Sequence, residues 1–154
     1  MGIALTKDNA SDILIRTITP DDAPIAARLS GELGYPVLAD EIRKRIEFLS
    51  GLPDQAVFVA CLNDEVVGWI DLVVTHHLAY MSRAEIAGLV VADGVRSRGI
   101  GRLLVQRAEK WAAERGFEQM LVRSRSTREA AHRFYLTNGY SLSKTSAVFV
   151  KDLA

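Results

Sequence analysis

The sequence predicts one α/β domain of the α+β kind, with a central mixed, mostly antiparallel sheet of about six to seven strands and about four helices on both faces. Three observations predict this class. The 154 residues, 49% hydrophobic and 25% charged, are enough for one buried core. Short apolar runs joined by a turn dipeptide dominate the first half, which favours antiparallel pairing. Strand and helix patterns alternate in the second half, which favours a crossover between parallel strands.

Caps and breaks delimit the elements of the first half. Thr19-Pro20-Asp21-Asp22 has a hydroxyl cap, a proline at the first helical position and acids in the first turn, and Gly34-Tyr35-Pro36 ends that helix. Asn63-Asp64 is a hairpin turn signal. The predicted elements are the strand Ile13–Thr17, the helix from Thr19 to about Leu33, the helix from about Ala39 to Ser50, and the strands Ala56–Leu62 and Val66–Val74.

Glycines end the helices of the second half. Gly116 follows one helical pattern, and Gly139 follows another that starts near Ser126 or Thr127, where Ser126 and Glu129 have capping-box spacing. The predicted elements are the strand Ala84–Val91, the helix Gly99–Arg115, the strand Gln119–Ser124, the helix Thr127–Asn138, and a last pair of strands at about Tyr140–Ser143 and Ala147–Lys151. Residues 1–12 are expected to be a flexible N-terminal segment.

The junction Arg96-Ser97-Arg98-Gly99-Ile100-Gly101 predicts an anion site. It lies between a buried strand pattern and a helix start, so the free N–H groups of the first helical turn are available to a ligand, and the glycines allow close approach. Arg96, Arg98 and Arg102 add positive charge. The chain has no Gly-Lys-Ser/Thr of a P-loop, and Leu104 stands where a dinucleotide fingerprint needs a third glycine. The expected ligand is a phosphate or a pyrophosphate.

Two motifs together carry a family resemblance. Arg96 to Gly101 fits [QR]-x-x-G-x-[GA], which resembles the acetyl-CoA-binding motif of the GNAT superfamily of N-acetyltransferases. Ala131-His132-Arg133-Phe134-Tyr135, followed by Gly139-Tyr140, resembles the second GNAT pattern A-x-x-F-Y-x-x-x-G-[FY] at the expected distance. The resemblance extends from about Ile13 to Leu153. It implies a single GNAT domain over residues 1–154 and an acyltransferase that uses acetyl-CoA as co-substrate.

The resemblance also implies which residues hold the co-substrate. The strand backbone of Leu89, Val90 and Val91 would run beside the pantetheine arm, and the N–H groups from Arg98 to Arg102 would hold the pyrophosphate. Many GNAT sequences have Asn where this chain has Arg128, and the form R-x-x-A-H-R-F-Y resembles aminoalkylphosphonate N-acetyltransferases. The expected co-substrate contacts are Leu89, Val90, Val91, Arg96, Ser97, Arg98, Gly99, Ile100, Gly101, Arg102, Arg128, His132 and Tyr135.

The chemistry of amine acetylation requires a base, because an alkylammonium must lose a proton before it attacks a thioester. The resemblance implies that Glu85 is this base and that Tyr135 is the acid that protonates the CoA thiolate. Glu85 could instead be a solvated strand end paired with Arg83, and Asp71 or a water relay could then serve as base. Alternation predicts that Glu85, Ala87, Leu89 and Val91 share one face. We expect direct attack within a ternary complex, with no acetyl-enzyme.

Charge is divided along the chain, and this division bears on the acceptor. Residues 1–91 carry thirteen Asp/Glu and seven Lys/Arg, whereas residues 92–154 carry six and twelve. An acidic half favours a cationic amine such as an aminoglycoside or a polyamine, and an aminoglycoside acceptor would imply antibiotic resistance. The aminoalkylphosphonate-like motif favours an acceptor with an anionic group instead. Acetylation of protein N-termini or lysines, and a non-catalytic acyl-CoA sensor, remain as alternatives.

Several classes of partner are not expected. The basic residues lack interleaved aromatics, so nucleic acid is not expected. No apolar run approaches roughly 20 residues and no secretory signal is present, so a cytoplasmic protein without a membrane segment is expected. His76 and His77 are adjacent and point apart in a strand, so no metal site is expected. The single cysteine, Cys61, is expected to be a buried thiol. A homodimer is implied by the resemblance alone.

Overall fold

A computed structural model describes residues 12–154, which fall into two compact units that divide after Val122. The N-terminal segment expected at residues 1–12 therefore lies outside the described residues, except for Asp12. No helix in the described range is both long and apolar enough to cross a membrane.

The first unit holds a five-stranded sheet and three helices. The strands follow the order β1-β2-β3-β4-β5, and every pair is antiparallel except β4 with β5, which is parallel. This is the mixed, mostly antiparallel sheet that the sequence predicts. The elements are β1 Ile13–Thr17, α1 Ala23–Leu33, α2 Ala39–Ser50, β2 Gln55–Leu62, β3 Glu65–Thr75, β4 Arg83–Val91, α3 Ile100–Glu114 and β5 Met120–Val122, with short 3-10 turns at Pro20–Asp22 and Asp93–Val95.

Two neighbouring residues of β3 show that α1 and α3 cover opposite faces of the sheet. The Nε1–H of Trp69 donates a hydrogen bond of 3.3 Å to the carbonyl oxygen of Ala26 in α1. A Cβ atom placed on Gly68 would lie 3.3 Å from Cδ1 of Leu104 in α3. Since adjacent strand residues point to opposite faces, α1 lies on the Trp69 face and α3 on the Gly68 face. The prediction of helices on both faces is confirmed.

A β-bulge interrupts the pairing of β3 with β4. Asp71 pairs with Gly88 and Leu72 pairs with Ile86, so Ala87 is an extra residue on β4. The alternation of side chains shifts by one position there. Glu85 pairs with Val73 on the Trp69 face, and past the bulge Val90 pairs with Trp69 and joins the cluster of Leu29 and Val59. The expectation that Glu85 and Leu89 share a face is therefore wrong, because the bulge changes the phase between them.

The second unit, Arg123–Ala154, contains one helix, α4, at Glu129–Thr137. Arg128 occupies the N-cap position and makes no side-chain cap hydrogen bond, so the helix starts two residues later than predicted and without the Ser126–Glu129 capping box. Its end follows the prediction. Gly139 has a φ of 90°, a left-handed conformation that suits glycine, and Nδ2 of Asn138 donates to the carbonyl oxygen of Phe134.

The predicted sheet of six to seven strands has five, because the last two predicted strands are absent. Tyr140–Ser143 and Ala147–Lys151 have no strand conformation, and Val148, Phe149 and Val150 are exposed. No backbone hydrogen bond involves residues 141–154 within the part of the chain that the structure describes. A strand exists only where a neighbouring strand accepts its hydrogen bonds, and an apolar β-branched run does not by itself supply that neighbour.

Candidate active site

The edge of β4 that faces away from β3 is unpaired along the second half of the strand. β5 pairs with Ala84, Glu85 and Ile86 only, so the later residues of β4 have no strand on that side. The N–H of Ala92 donates to the carbonyl oxygen of Val67 at 2.8 Å. Because bonded residues alternate in an antiparallel ladder, Val90 also faces β3, and the N–H and C=O groups of Leu89 and Val91 face the open side. This edge can bind an extended ligand.

The loop after β4 brings the start of α3 to the end of this edge. Ser97 has a φ of 68° and Gly99 a φ of 79°, and the first hydrogen bond of α3 runs from the Leu103 N–H to the Gly99 carbonyl oxygen at 3.1 Å. The amides of Ile100, Gly101 and Arg102 precede that bond and have no acceptor within the helix. A Cβ placed on Gly99 would meet nothing within 4 Å, so the space beside the loop is open.

The three arginines of this loop have two different roles. Arg96 forms an ion pair of 2.6 Å with Asp93, and its Nε–H donates to the carbonyl oxygen of Val91 at 3.1 Å. Arg96 therefore ties the loop to the end of β4. Arg98 and Arg102 are exposed and form no ion pair with any described residue. With the helix amides, they can hold a phosphate group at the end of the open edge.

Two carboxylates lie on the α1 face of the sheet. Asp71 pairs with Gly88, and its Oδ1 is buried and has no hydrogen-bond partner among the described residues. Burial raises the pKa of Asp71 to about 6. Glu85 pairs with Val73 on one side and with Leu121 on the other, and its side chain is half-buried. Strand alternation places Trp69, Asp71 and Val73 on one face, so both carboxylates lie on that face.

The remaining predicted residues lie in the second unit. The ring of Tyr135 is in edge contact with Phe134 and Tyr140, with centroids 5.1 and 5.6 Å away. Burial raises the pKa of Tyr135, and the positive charge of Arg128 opposes that effect in part. The phenol therefore stays protonated at neutral pH and can donate a proton. His132 Nε2 lies 2.9 Å from the carbonyl oxygen of Arg125, so this side chain holds the turn before α4.

The two adjacent histidines have separate partners. His76 lies with Nε2 2.8 Å from Oδ2 of Asp54 and with Nδ1 2.6 Å from the hydroxyl of Ser82. His77 instead stacks on Tyr80 with centroids 4.2 Å apart. Residues 12–154 contain no group of three or more His, Cys, Asp or Glu that could hold a metal ion. Cys61 is a free, buried thiol within the core cluster of Leu29 and Val90.

The first unit thus brings together most of the predicted site. Glu85, the Leu89–Val91 edge and the Arg96–Arg102 loop all lie along one stretch of β4, its following loop and α3. Sequence reasoning missed the bulge and the bonds of Arg96 to Asp93 and Val91. Two signals were available: a glycine inside a strand pattern often marks a bulge, and Asp93 stands three residues before Arg96.

Comparison with known proteins gives a consistent result. The model of a family described as the acetyltransferase (GNAT) family matches residues 24–140. The aminoalkylphosphonate N-acetyltransferase of Salmonella typhimurium strain LT2 is 36% identical over 124 residues, which cover 79% of this chain and 77% of that protein.

Solved structures share the fold. The aminoglycoside N-acetyltransferase AAC(6')-Iy in complex with CoA has a TM-score of 0.83 at 16% identity, covering 92% of this chain and 95% of the other. At that identity the likeness concerns the fold alone. A transcriptional regulator from Bacillus halodurans C-125 has a TM-score of 0.77 at 25% identity, covering 90% of this chain and 99% of the other.

Proposed function

The chain belongs to the acetyltransferase (GNAT) family and is an acyltransferase, and on that premise we propose that it transfers the acetyl group of acetyl-CoA to the primary amine of a small molecule. The observation that carries this proposal is the open edge of β4, which leads to the unbonded amides at the start of α3. An extended chain with a pyrophosphate at one end has the shape and charge that this arrangement accepts.

In the proposed binding mode, most contacts with acetyl-CoA come from backbone groups. The N–H and C=O groups of Leu89 and the N–H of Val91 would form hydrogen bonds with the pantetheine arm, and Val90 would support them from the core. The carbonyl oxygen of Val91 already accepts from Arg96. The amides from Arg98 to Arg102, helped by the left-handed Ser97 and Gly99, would hold the pyrophosphate, with Arg98 and Arg102 supplying charge. The bonds of Arg96 support a role in shaping this loop. Arg128 and His132 are proposed contacts on the strength of the second motif.

The proposed reaction is direct attack of the amine on the thioester. A carboxylate of the Asp71–Glu85 pair accepts the proton of the bound ammonium, and the neutral amine then attacks the carbonyl carbon. As the carbon–sulfur bond breaks, Tyr135 donates its proton to the departing thiolate, and the second proton lost by the acylated nitrogen returns to Tyr135 directly or through water. The raised pKa of Tyr135 supports this role, because a protonated phenol is required at that moment. Cys61 is buried in the core cluster, which supports a reaction without an acetyl-enzyme.

The acceptor is proposed to be a small amine, and two classes are candidates. The aminoalkylphosphonate N-acetyltransferase of Salmonella favours an amine that carries an anionic group. The acidic residues 1–91 favour a cationic amine such as an aminoglycoside or a polyamine. A non-catalytic acyl-CoA sensor would bind the co-substrate equally well, but it would not need a buried carboxylate such as Asp71 on the face of the sheet.

Thiol release from acetyl-CoA, measured over a panel of amines, tests the proposal. The panel contains aminoalkylphosphonates, aminoglycosides, polyamines, amino acids and short peptides, and mass spectrometry identifies the acetylated product. An R98Q/R102Q variant should raise KM for acetyl-CoA at least tenfold, whereas an R45Q control should not, because Arg45 is paired with Glu41 on α2. Binding of CoA without acetylation of any amine would favour the sensor and overturn the proposed acetylation of a small-molecule amine.

Three further expectations are part of the proposal. We propose one acetyltransferase domain over residues 1–154, which the family match supports because the matched range 24–140 runs through both compact units. A reducing cytoplasm suits the free thiol of Cys61. A homodimer can be tested by light scattering at several protein concentrations.

A further inference from the structure

We propose that Asp71 is the group that takes the proton from the acceptor's ammonium, and that Glu85 attracts the cation without being the terminal base. This inference rests on the proposed function, because it assigns one step of the amine acetylation. It goes beyond the family match, which does not say which carboxylate acts.

The position of Asp71 along the sheet supports this assignment. Gly88, its partner on β4, is the first paired residue past the bulge. A pantetheine arm that starts at the α3 loop and follows the open edge back from Val91 reaches Gly88 after about 10 Å. The thioester end of the co-substrate is therefore expected beside Gly88, one strand from Asp71. Glu85 lies before the bulge, where β5 still pairs with β4.

The surroundings of Asp71 leave one oxygen of its carboxylate able to accept a hydrogen bond from a ligand. A buried polar atom is normally hydrogen-bonded, and Oδ1 of Asp71 has no partner among the described residues. Gly88, opposite, has no side chain, and a Cβ there would lie 3.0 Å from the ring of Trp69. The Trp69 ring therefore lies against Gly88, on the face that carries the unpaired oxygen of Asp71. An ammonium or a water bound to it would supply the missing hydrogen bond.

No charged neighbour within the first unit accounts for the state of Asp71. Val57, its partner on β2, is apolar. By strand register, the charged groups on this face of the sheet are Arg16 on β1, which is hydrogen-bonded to Asp22, and Arg83 and Glu85 on β4. The helix α1 adds the exposed Arg28 and Glu32, and α2 carries Asp40, Glu41, Arg43, Lys44, Arg45 and Glu47. Desolvation by burial is the cause that raises the pKa of Asp71 to about 6. Asp71 is therefore ionised at neutral pH and more basic than an ordinary carboxylate.

The step balances as a proton transfer followed by acyl transfer. One N–H bond of the ammonium breaks and an O–H bond forms on Asp71, directly or through one water. The nitrogen lone pair then forms the amide bond to the thioester carbon, and the carbon–sulfur bond electrons leave with the CoA thiolate. That thiolate takes a proton from Tyr135, and the second proton that the acylated nitrogen loses passes to the Tyr135 phenolate, directly or through water. The products are the N-acetylated amine and CoA thiol, and Asp71 releases its proton to solvent.

The test compares D71N, E85Q and a D54N control in the full chain, with an amine that the wild type acetylates. Asp54 is a suitable control because its carboxylate is bound to His76 in the exposed β3–β4 region. We expect D71N to lower kcat at least 100-fold with unchanged KM for acetyl-CoA. The wild-type kcat/KM for the amine should rise with pH through about 6, and E85Q should keep that rise while raising KM for the amine.

Three outcomes would overturn the assignment. The first is a D71N variant within threefold of the wild-type kcat, and the second is a D71N effect confined to KM for the amine. The third is loss of the acid limb in E85Q but not in D71N. Calorimetric binding of CoA to each variant shows that it is folded. If the wild type binds CoA and acetylates no amine, the proposed function fails and this inference fails with it; an active wild type with an active D71N overturns this inference alone.

Discussion

Single residues of this chain differ sharply in how much space surrounds them, and two glycines illustrate this. A Cβ on Gly68 would lie 2.8 Å from the carbonyl oxygen of Val90, whereas a Cβ on Gly31 in α1 would meet nothing within 4 Å. We expect Gly68→Ala to lower the free energy of unfolding by about 1–3 kcal/mol, because β3 and β4 must move apart. Gly31→Ala should raise it by roughly 0.5–1 kcal/mol. Thermal melts of both variants check this, and equal melting temperatures would contradict it.

Tyr135 provides a second prediction at the residue scale. Replacing it with Phe keeps the ring contacts with Phe134 and Tyr140 but removes the hydroxyl. If that hydroxyl protonates the thiolate, kcat should fall at least 10-fold while KM for acetyl-CoA changes little. Tyr80→Phe is the control, because the Tyr80 ring stacks on His77 in the β3–β4 loop. Steady-state kinetics measure both, and a Tyr135→Phe variant with full kcat would exclude the acid role.

At the scale of elements, the proposed phosphate binding at the start of α3 can be tested with two glycines that both have a left-handed backbone conformation. Gly99 and Gly116 have φ angles of 79° and 83° and lie just outside opposite ends of the helix. Alanine at either position should lower stability by about 1–2 kcal/mol, because left-handed backbone is unfavourable for L-residues. Only Gly99→Ala should also raise KM for acetyl-CoA severalfold. Comparable KM values in the two variants would argue against phosphate binding at this helix start.

The sequence predicted the elements well wherever capping residues, prolines, glycines or turn dipeptides mark their ends. The bounds of β1 and α2 agree with the prediction, and Asn63 and Asp64 have the positive φ angles of a tight hairpin. The failures depend on neighbours that a sequence pattern does not contain. Residues 147–151 have the apolar pattern of a strand but pair with no other strand. In β4, Gly88 signals a bulge, but the identity of the extra residue, Ala87, depends on the pairing with β3.

The same distinction explains what could be predicted of the site. Backbone features, such as the α3 start and the β4 edge, followed from motif and position because they depend on local conformation. The proposal that Asp71, and not Glu85, is the base did not follow from motif and position. The proposed role of Asp71 rests on its burial and on the missing hydrogen-bond partner of its Oδ1, and both depend on tertiary packing rather than on the residues next to Asp71 in the chain.

At the scale of the whole molecule, two aspartates impose opposite pH dependences on stability. The Arg16 guanidinium lowers the pKa of Asp22 through hydrogen bonds of 2.8 Å, so this pair stabilises the fold above about pH 4 and is lost as the pH falls. Burial raises the pKa of Asp71 to about 6, so ionisation of Asp71 destabilises the fold as the pH rises from about 4 to 6. Stability should therefore be greatest in mildly acidic solution.

Asp71→Asn tests this balance without any assay of activity. One pKa unit corresponds to about 1.4 kcal/mol, so removing the ionisable group should stabilise the fold by roughly 2–3 kcal/mol at pH 7.5 and by much less at pH 4.5. The melting temperature should rise by several degrees at the higher pH only. Asp54→Asn should change it little at either pH. An equal gain at both pH values would mean that the Asn side chain packs better, and not that a charge was removed.

The extra residue at Ala87 divides β4 into two frames of alternation. When side-chain alternation is counted back from the α3 loop, it gives the correct face for the residues after Ala87. For the residues before Ala87 the same count gives the wrong face, because it is displaced by one position. In a relative whose β4 lacks this insertion, the residue that aligns with Glu85 when one counts back from the loop would point to the opposite face. Roles along β4 should therefore be compared through the strand partners on β3, in which Asp71 and Val73 keep a single frame.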